Sequence, residues 1–423
     1  MWIGLLFAVM CLAAYYQRES APMPSKPLDI VQVYREKTIQ CLVLGKYTKC
    51  PPYAIETLLL YFHLEFIRSD DAQIKTWLLL GVIVRLALGT GYHRDASYFP
   101  KISPFQGEMR RRTWALIVQF DTLASAQAGL PRMIRESQAD TAEPRNLLDE
   151  DLDPDMAAVP PSRPDTVHSP IKYIVAKNRV ASVYGMISDL ATSTRVPPYS
   201  EVMRLNKVFD IGYASVPSAL HIFPMNQSLI DSPVIILHRL YIALLFQKAK
   251  CVLHNRYLLA GRTDPCYAFS RKTCVESALQ ILEYQRILHE ETQVGRRLHH
   301  DQWNISSLAT SGFLLATALL CVELDSIKSS AEGPKNPIDT DLGDKIIQAL
   351  QNSYSIWVQL SNNSREAHKA AEVARIVLNK TQTASGTSSG ADLREMVNMI
   401  DPTPTSRTMS IPTTSCVFVI SLP

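Results

Sequence analysis

Residues 103–131 read SPFQGEMRRRTWALIVQFDTLASAQAGLP, and this stretch carries its own helix signals. Ser103 stands as an N-cap, Pro104 takes the first helical position, where a missing N–H costs nothing, and Gln106 completes a capping box. A helix of about six turns is expected to follow. Phe105, Met109, Leu116, Phe120 and Leu123 recur at spacings of three, four and seven, so they share one predicted buried face. Arg110, Arg111 and Arg112 lie off that face, on a side expected to be exposed or ion-paired, with Glu108 placed four residues before Arg112 for a surface pair. Asp121 follows apolar Phe120 and is predicted to be a buried structural anion paired with an arginine of the same stretch.

Outward from this helix the pattern repeats. Gln73 to Leu88 is apolar on nearly every face (Ile74, Trp77, Leu78, Leu80, Ile83, Leu86), which predicts a helix surrounded by others, stopped by Gly89 and Gly91. Three-to-four periodicity predicts further helices at Ile171–Ala191, Pro233–Arg256, Ala268–His289, Gln302–Leu324, Leu342–Leu360 and Arg365–Lys380, with shorter ones near Leu28–Leu44 and Ala54–Ile67. No stretch sustains the period-two alternation of a half-buried strand, so the fold class is all-α. Residues 143–170 carry Asp149, Glu150, Asp151, Asp153 and Asp155 together with Pro154, Pro160, Pro161, Pro164 and Pro170, and read as a long solvated loop. The expected organisation is one multi-helix regulatory domain over residues 1–380 and a disordered Ser/Thr/Pro-rich tail over 381–423. Periods of 30 to 50 residues show no self-similarity, against a helical repeat array.

Composition narrows the function classes. With 423 residues, 47% of them apolar, a large core is within reach, and 43 bases against 40 acids leave a net charge of +3, too small to point to nucleic acid. The eight cysteines, at 11, 41, 50, 251, 266, 274, 321 and 416, are never close enough to offer the paired ligands of a zinc site, and read as reduced core residues. Trp2 to Tyr16 is almost wholly apolar, but no cation precedes it and it is short for a membrane span, so a buried helix is expected in place of a signal peptide or membrane anchor.

Catalytic signatures fail when their required neighbours are checked. His93, Arg94 and Asp95 spell the kinase catalytic tripeptide, yet Ala96 and Pro100 stand where Leu and the magnesium-binding Asn belong. Gly89 and Gly91 begin a dinucleotide fingerprint whose third glycine would fall at Arg94, after a helix and not a strand. Adjacent His299 and His300 point about 100 degrees apart on a helix and read as solvated or capping residues. No catalytic residue, metal ligand or cofactor is predicted.

Residues 91–114, GYHRDASYFPKISPFQGEMRRRTW, continuing through Asp121 to Gly129-Leu130-Pro131, resemble the central motif of the fungal-specific transcription factor domain, the middle homology region of binuclear zinc-cluster factors. The likeness runs on through residues 133–152, the LHNRYLL segment at 253–259, residues 308–324 and residues 356–378, and includes WIGLLFAVMCLA at 2–13. The resemblance implies a helical regulatory domain, nuclear, acting in transcription of a metabolic or secondary-metabolite pathway. It implies protein partners in the transcription machinery or a zinc-cluster factor, and a small-molecule inducer. His93, Arg94, Asp95, Arg110, Arg111, Arg112, Trp114 and Asp121 are its motif positions, with structural or regulatory roles. The family's cluster, beginning Cys-x2-Cys-x6-Cys, is carried at no position, so DNA is expected to be reached only indirectly or through an N-terminal zinc cluster outside this sequence. The rival expectations are a helical scaffold or corepressor that binds an intact zinc-cluster factor, and a small-molecule-binding helical enzyme.

Overall fold

The computed structural model describes residues 1–20, 30–68, 74–299 apart from 165, 168 and 229, 307–329, and 337–382 apart from 363. Among these residues there is no strand, and thirteen α-helices follow one another: α1 Trp2–Ser20, α2 Ile30–Leu44, α3 Ala54–Ile67, α4 Ile74–Gly89, α5 Pro104–Ala128, α6 Pro170–Ala191, α7 Tyr199–Ala214, α8 Pro233–His254, α9 Ala260–Thr263, α10 Ala268–Glu291, α11 Ser307–Ser329, α12 Pro337–Leu360 and α13 Arg365–Gln382. The all-α expectation holds. Of the predicted segments, residues 28–29, Gln73, His300, residues 302–306 and the tail from residue 383 lie outside the described residues, while residues 381–382 extend α13.

Three long helices start with the same device. Ser103, Ser169 and Ser232 each accept a hydrogen bond from the backbone N–H three residues on, and each is followed by proline at the first helical position. At Ser103 the capping box forms as expected, and α5 ends at Gly129 with φ 66°, a left-handed conformation that glycine adopts without a Cβ penalty. Helix α7 was not foreseen, although Val202, Leu205, Asn206 and Phe209 are its buried residues at helical spacing. Pro197-Pro198 precede it closely and Pro217 follows it.

The helices bury four connected apolar clusters. A small one joins α1 to α2 and α3 through Cys11, Leu12, Val31 and Leu64. The next packs α2 to α5 around Phe62, Leu80, Ile83, Trp114 and Ile117. A third gathers α5 to α8 on Val180, Tyr184, Ile187, Phe209 and Phe246. The largest collects α8 and α10 to α13 around Ile281, Phe313, Leu320, Ile346 and Trp357. Each fully buried Leu, Ile or Phe contributes about 1.5–3 kcal/mol, so these clusters are the principal source of stability. Helix α8 is shared: Leu237, Leu240 and Leu244 enter the largest cluster, whereas Ile242, Leu245 and Phe246 enter its neighbour.

Several burial expectations need correction. Helix α4 is not surrounded, because Ile74 and Leu78 are exposed while Leu80, Ile83 and Val84 are buried. On α1, Ala8, Cys11 and Leu12 are buried but Trp2, Ile3, Leu6 and Val9 are exposed, so it lies on the outside of the bundle. On α5, Met109 is exposed, while Glu108 and Arg112, placed off the apolar face, are buried. The reason is the 139–152 segment, which folds over that side of α5. The residue 143–170 region is correspondingly held: Leu147 is buried, Arg145 donates to the carbonyls of Val159 and Pro160, and Arg163 pairs with Asp151. Helix α11 is apolar and long enough over Ala309–Lys328 to cross a membrane, but 67% of that window is buried by neighbouring helices, as in a core helix.

Candidate functional site

The first turns of α5 clasp two loops. Asp95 is buried, and both its carboxylate oxygens accept from Arg111 at 2.8 Å. It also accepts from the backbone N–H of Ser97 at 3.0 Å and of Ala142 at 3.1 Å. The Arg111 guanidinium, aided by these amides, holds its carboxyl well below the usual carboxylate range. Arg112 faces the other loop and donates to the Leu147 carbonyl at 3.0 Å and to Asp149 at 2.8 Å. Glu108 sits between the two arginines, 3.7 Å from Arg111 and 3.8 Å from Arg112, and accepts from the Arg145 N–H at 2.9 Å. Burial pushes its carboxyl upward against those donors. The expected surface pair is therefore a buried one.

The remaining motif residues complete the clasp. Arg110 donates to the Thr90 carbonyl at 2.8 Å and lies over the Tyr92 ring, 4.2 Å from its centroid. His93 packs beside buried Trp114 with ring centroids 6.4 Å apart, and its carbonyl accepts from the Asp140 N–H. Exposed Arg94 pairs with Asp140 at 3.0 Å. Seven of the eight predicted site residues thus form one assembly. Its Asp95 is saturated by donors, which excludes a kinase-like base at that position.

Asp121 lies further along α5 and is held differently from the expectation. It is fully buried, but no arginine among the described residues pairs with it; one carboxylate oxygen accepts from the backbone N–H groups of Met133 at 2.9 Å and Ile134 at 2.7 Å. The 131–135 segment folds back onto α5 and supplies these amides, while the motif arginines are engaged with their own loops. Burial raises the Asp121 carboxyl to about 6, opposed by the two amides. Arg132 itself is directed to α6, where it pairs with Asp189 at 2.9 Å and with Glu136 at 2.7 Å. A Cβ on Gly185 would stand 2.8 Å from the Arg132 guanidinium, so the glycine lets this side chain lie across the helix.

A cavity of about 510 Å³ lies where α3, α5, α6, α8 and α11 meet. Phe66, Leu116, Phe120, Leu123, Leu237 and Leu245 give it an apolar wall. Its polar side carries Lys177, Lys248, His63 and His238, and no Asp or Glu is among the described lining residues. The His238 ring lies flat on Tyr173, with centroids 3.6 Å apart and planes 2° from parallel. Lys177 lies over the same tyrosine, its ammonium 5.5 Å from the ring centroid, and burial lowers the amine to about 8. His63 is lowered to about 4 by burial and by the charge of Lys177, and its Nε2 shares a 2.9 Å hydrogen bond with the Tyr16 hydroxyl. Lys248 donates to Ser311 at 2.7 Å. The dimensions and the few polar groups fit a small-molecule site.

No sequence motif announced this cavity. The available signals were faint: His63 within the otherwise apolar run Leu58–Leu64, and Lys177 four residues after Tyr173 on α6. A second unforeseen feature is a chain from the Tyr199 hydroxyl to Ser270 (2.9 Å), then His254 (2.9 Å) and Asn206 (3.0 Å). It has the connectivity of a nucleophile, base and orienter, but Ser270 and His254 are fully buried, so it serves as an internal polar tie between α7, α8 and α10.

Comparison with known proteins follows the same residues. Residues 3–209 match the fungal specific transcription factor domain. A Zn(2)-C6 fungal-type transcription factor of Monascus ruber is 55% identical over 401 residues, covering 94% of this chain and 49% of that protein. A Zn(2)-C6 fungal-type transcription factor of Macrophomina phaseolina is 46% identical over 392 residues, covering 91% and 53%. The equisetin cluster transcription factor of Fusarium heterosporum is 39% identical over 399 residues, covering 92% and 57%. The chain spans about half the length of these relatives. No solved structure matches the chain.

Proposed function

We propose that this chain, which by residues 3–209 belongs to the fungal specific transcription factor domain family, is the helical regulatory region of a nuclear transcription factor governing a secondary-metabolite gene cluster. The observation that carries the reading is the 55% identity to a Zn(2)-C6 fungal-type transcription factor along 94% of the chain, which spans all four apolar clusters. The α5 clasp supports a non-catalytic role, since its charges hold loops in place. On this reading the chain works through contacts with the transcription machinery or with a zinc-cluster factor, its DNA contact is indirect or made by a zinc cluster beyond this sequence, and a small molecule in the cavity sets its output. Fusion of the whole chain to a heterologous DNA-binding domain in a fungal host tests the reading: a reporter behind the matching operator changes several-fold when the fusion is present. A soluble, nuclear fusion that leaves the reporter unchanged overturns it.

A further inference from the structure

The cavity carries a charge asymmetry that its apolar wall makes consequential. Lys177 is a cation on its polar side for which the described residues provide no carboxylate or hydrogen-bond acceptor; its described contact is the face of Tyr173. A ring face is a weak partner for an ammonium compared with an anion. The nearby histidine, His63, stays neutral at physiological pH and is tied by its Nε2 to Tyr16, so it neither competes for an anion as a second cation nor neutralises Lys177. Lys248 adds a second positive centre on α8, already hydrogen-bonded to Ser311. With no acid in the described wall, a cationic ligand would meet two ammonium groups and no counter-charge. An uncharged apolar ligand would fill the wall but leave Lys177 without a counter-ion in a drier place. A ligand that is apolar along its length and anionic at one end satisfies both sides.

We propose that the cavity between α3, α5, α6, α8 and α11 binds an apolar small molecule bearing one acidic group, a carboxylate or an acid of similar strength, whose anion pairs with Lys177. The flat His238–Tyr173 stack forms a wall beside the anion site, suited to a planar acidic head, and Phe120, Leu123 and Leu237 receive the apolar body. The ligand class is derived from the cavity alone, and it deepens the regulatory reading above by naming the chemistry of the effector.

Binding is measured on the purified full chain, without DNA or reporter, by calorimetry with dodecanoate, dodecanol and dodecylamine at pH 7. Dodecanoate is expected to bind at least about tenfold more tightly than dodecanol, and dodecylamine to be the weakest of the three. Lys177→Met replaces the ammonium with an apolar chain of similar length; it is expected to abolish the preference for the acid while keeping the alcohol. Leu116→Trp, which fills the wall, is expected to remove binding of all three. Equal affinity for acid and alcohol, binding of none of the three by the unmodified chain, or an acid preference that survives Lys177→Met overturns the assignment. The acid-to-alcohol ratio of the unmodified chain decides the question even if a variant fails to fold. A chain that shows the ratio but leaves the fusion reporter unchanged keeps this inference and loses the transcriptional one, and the reverse result does the opposite.

Discussion

Replacing Asp121 by alanine and by asparagine separates two costs that the native carboxylate combines. One oxygen of Asp121 accepts the N–H groups of Met133 and Ile134. Removing the acceptor leaves two donors in a dry place at about 1–3 kcal/mol each, so about 2–6 kcal/mol together. Against this, the charge itself is costly to bury. A rise in the folded carboxyl from 3.8 to about 6 corresponds to about 3 kcal/mol against the ionised form at neutral pH. Asparagine keeps the acceptor and drops the charge, so Asp121→Asn is expected to match the native chain or exceed it by up to about 3 kcal/mol at pH 7. Asp121→Ala is expected to lie about 2–6 kcal/mol below Asp121→Asn. The folded carboxyl holds its proton more tightly than the unfolded one. The native chain therefore gains stability from this group as pH falls through about 6, and the gain is complete below the unfolded value of 3.8. The advantage of Asp121→Asn should accordingly shrink as pH falls from neutral towards about 4. Urea unfolding followed by helical circular dichroism, with the three chains compared at each pH, reads all of this. Alanine and asparagine variants agreeing within about 0.5 kcal/mol would refute the acceptor role. A gap between asparagine and native chains that stays constant down to about pH 4 would refute the buried-charge argument.

Four further outcomes are expected. Asp95→Asn strands Arg111 and should cost about 3–5 kcal/mol at pH 7. Because the folded Asp95 carboxyl is depressed, its contribution is present above the unfolded value of 3.8 and is lost as pH falls below it, so the deficit of the variant in urea midpoint narrows only in acid. Glu323→Gln leaves Arg262 and Arg271 facing a neutral side chain in a fully buried position and should lower the unfolding free energy by about 3–5 kcal/mol. Ser270→Ala removes the partner of both His254 and Tyr199 and should cost about 2–6 kcal/mol in the same urea assay. Lys177→Met relieves the burial of a cation and should raise the ligand-free unfolding free energy at pH 7 by about 1–2 kcal/mol, a value discounted for the partial exposure of the lysine.

The parts of this fold that could be read in the sequence are those written in local chemistry. Ser103, Pro104 and Gln106 specify a helix start through backbone groups within one turn, and that start is where the structure has it. The same reading misjudged Glu108, because its burial depends on a segment more than thirty residues away folding over it; no periodicity within α5 reports that. Asp121 shows the same limit: its burial follows from neighbours on its own helix, but its partners are amides of a returning loop. Helix α7 was not among the predicted helices: Val202, Leu205 and Phe209 keep helical spacing, but the run is short and bounded closely by Pro197, Pro198 and Pro217. The cavity escaped for a deeper reason. It is the space left between five helices, and a void is a property of how their surfaces meet, with Lys177 and His63 looking in isolation like ordinary members of apolar helices.

The sharing of α8 between two clusters bears on where the molecule can be cut. The match to the fungal specific transcription factor domain ends at residue 209, inside α7, yet Val180, Tyr184, Ile187 and Phe209 are covered by Phe246, Ile242 and their neighbours on a helix that begins at Pro233. A fragment trimmed to the end of that domain match would therefore present a sticky flank to solvent and is expected to sediment as aggregates, whereas one carried through α13 would not. The border of the family domain and the border of the folded unit therefore differ on this chain: the first stops inside α7, whereas the second, along which the relatives remain alike, has to be made in a single piece for either half to stand.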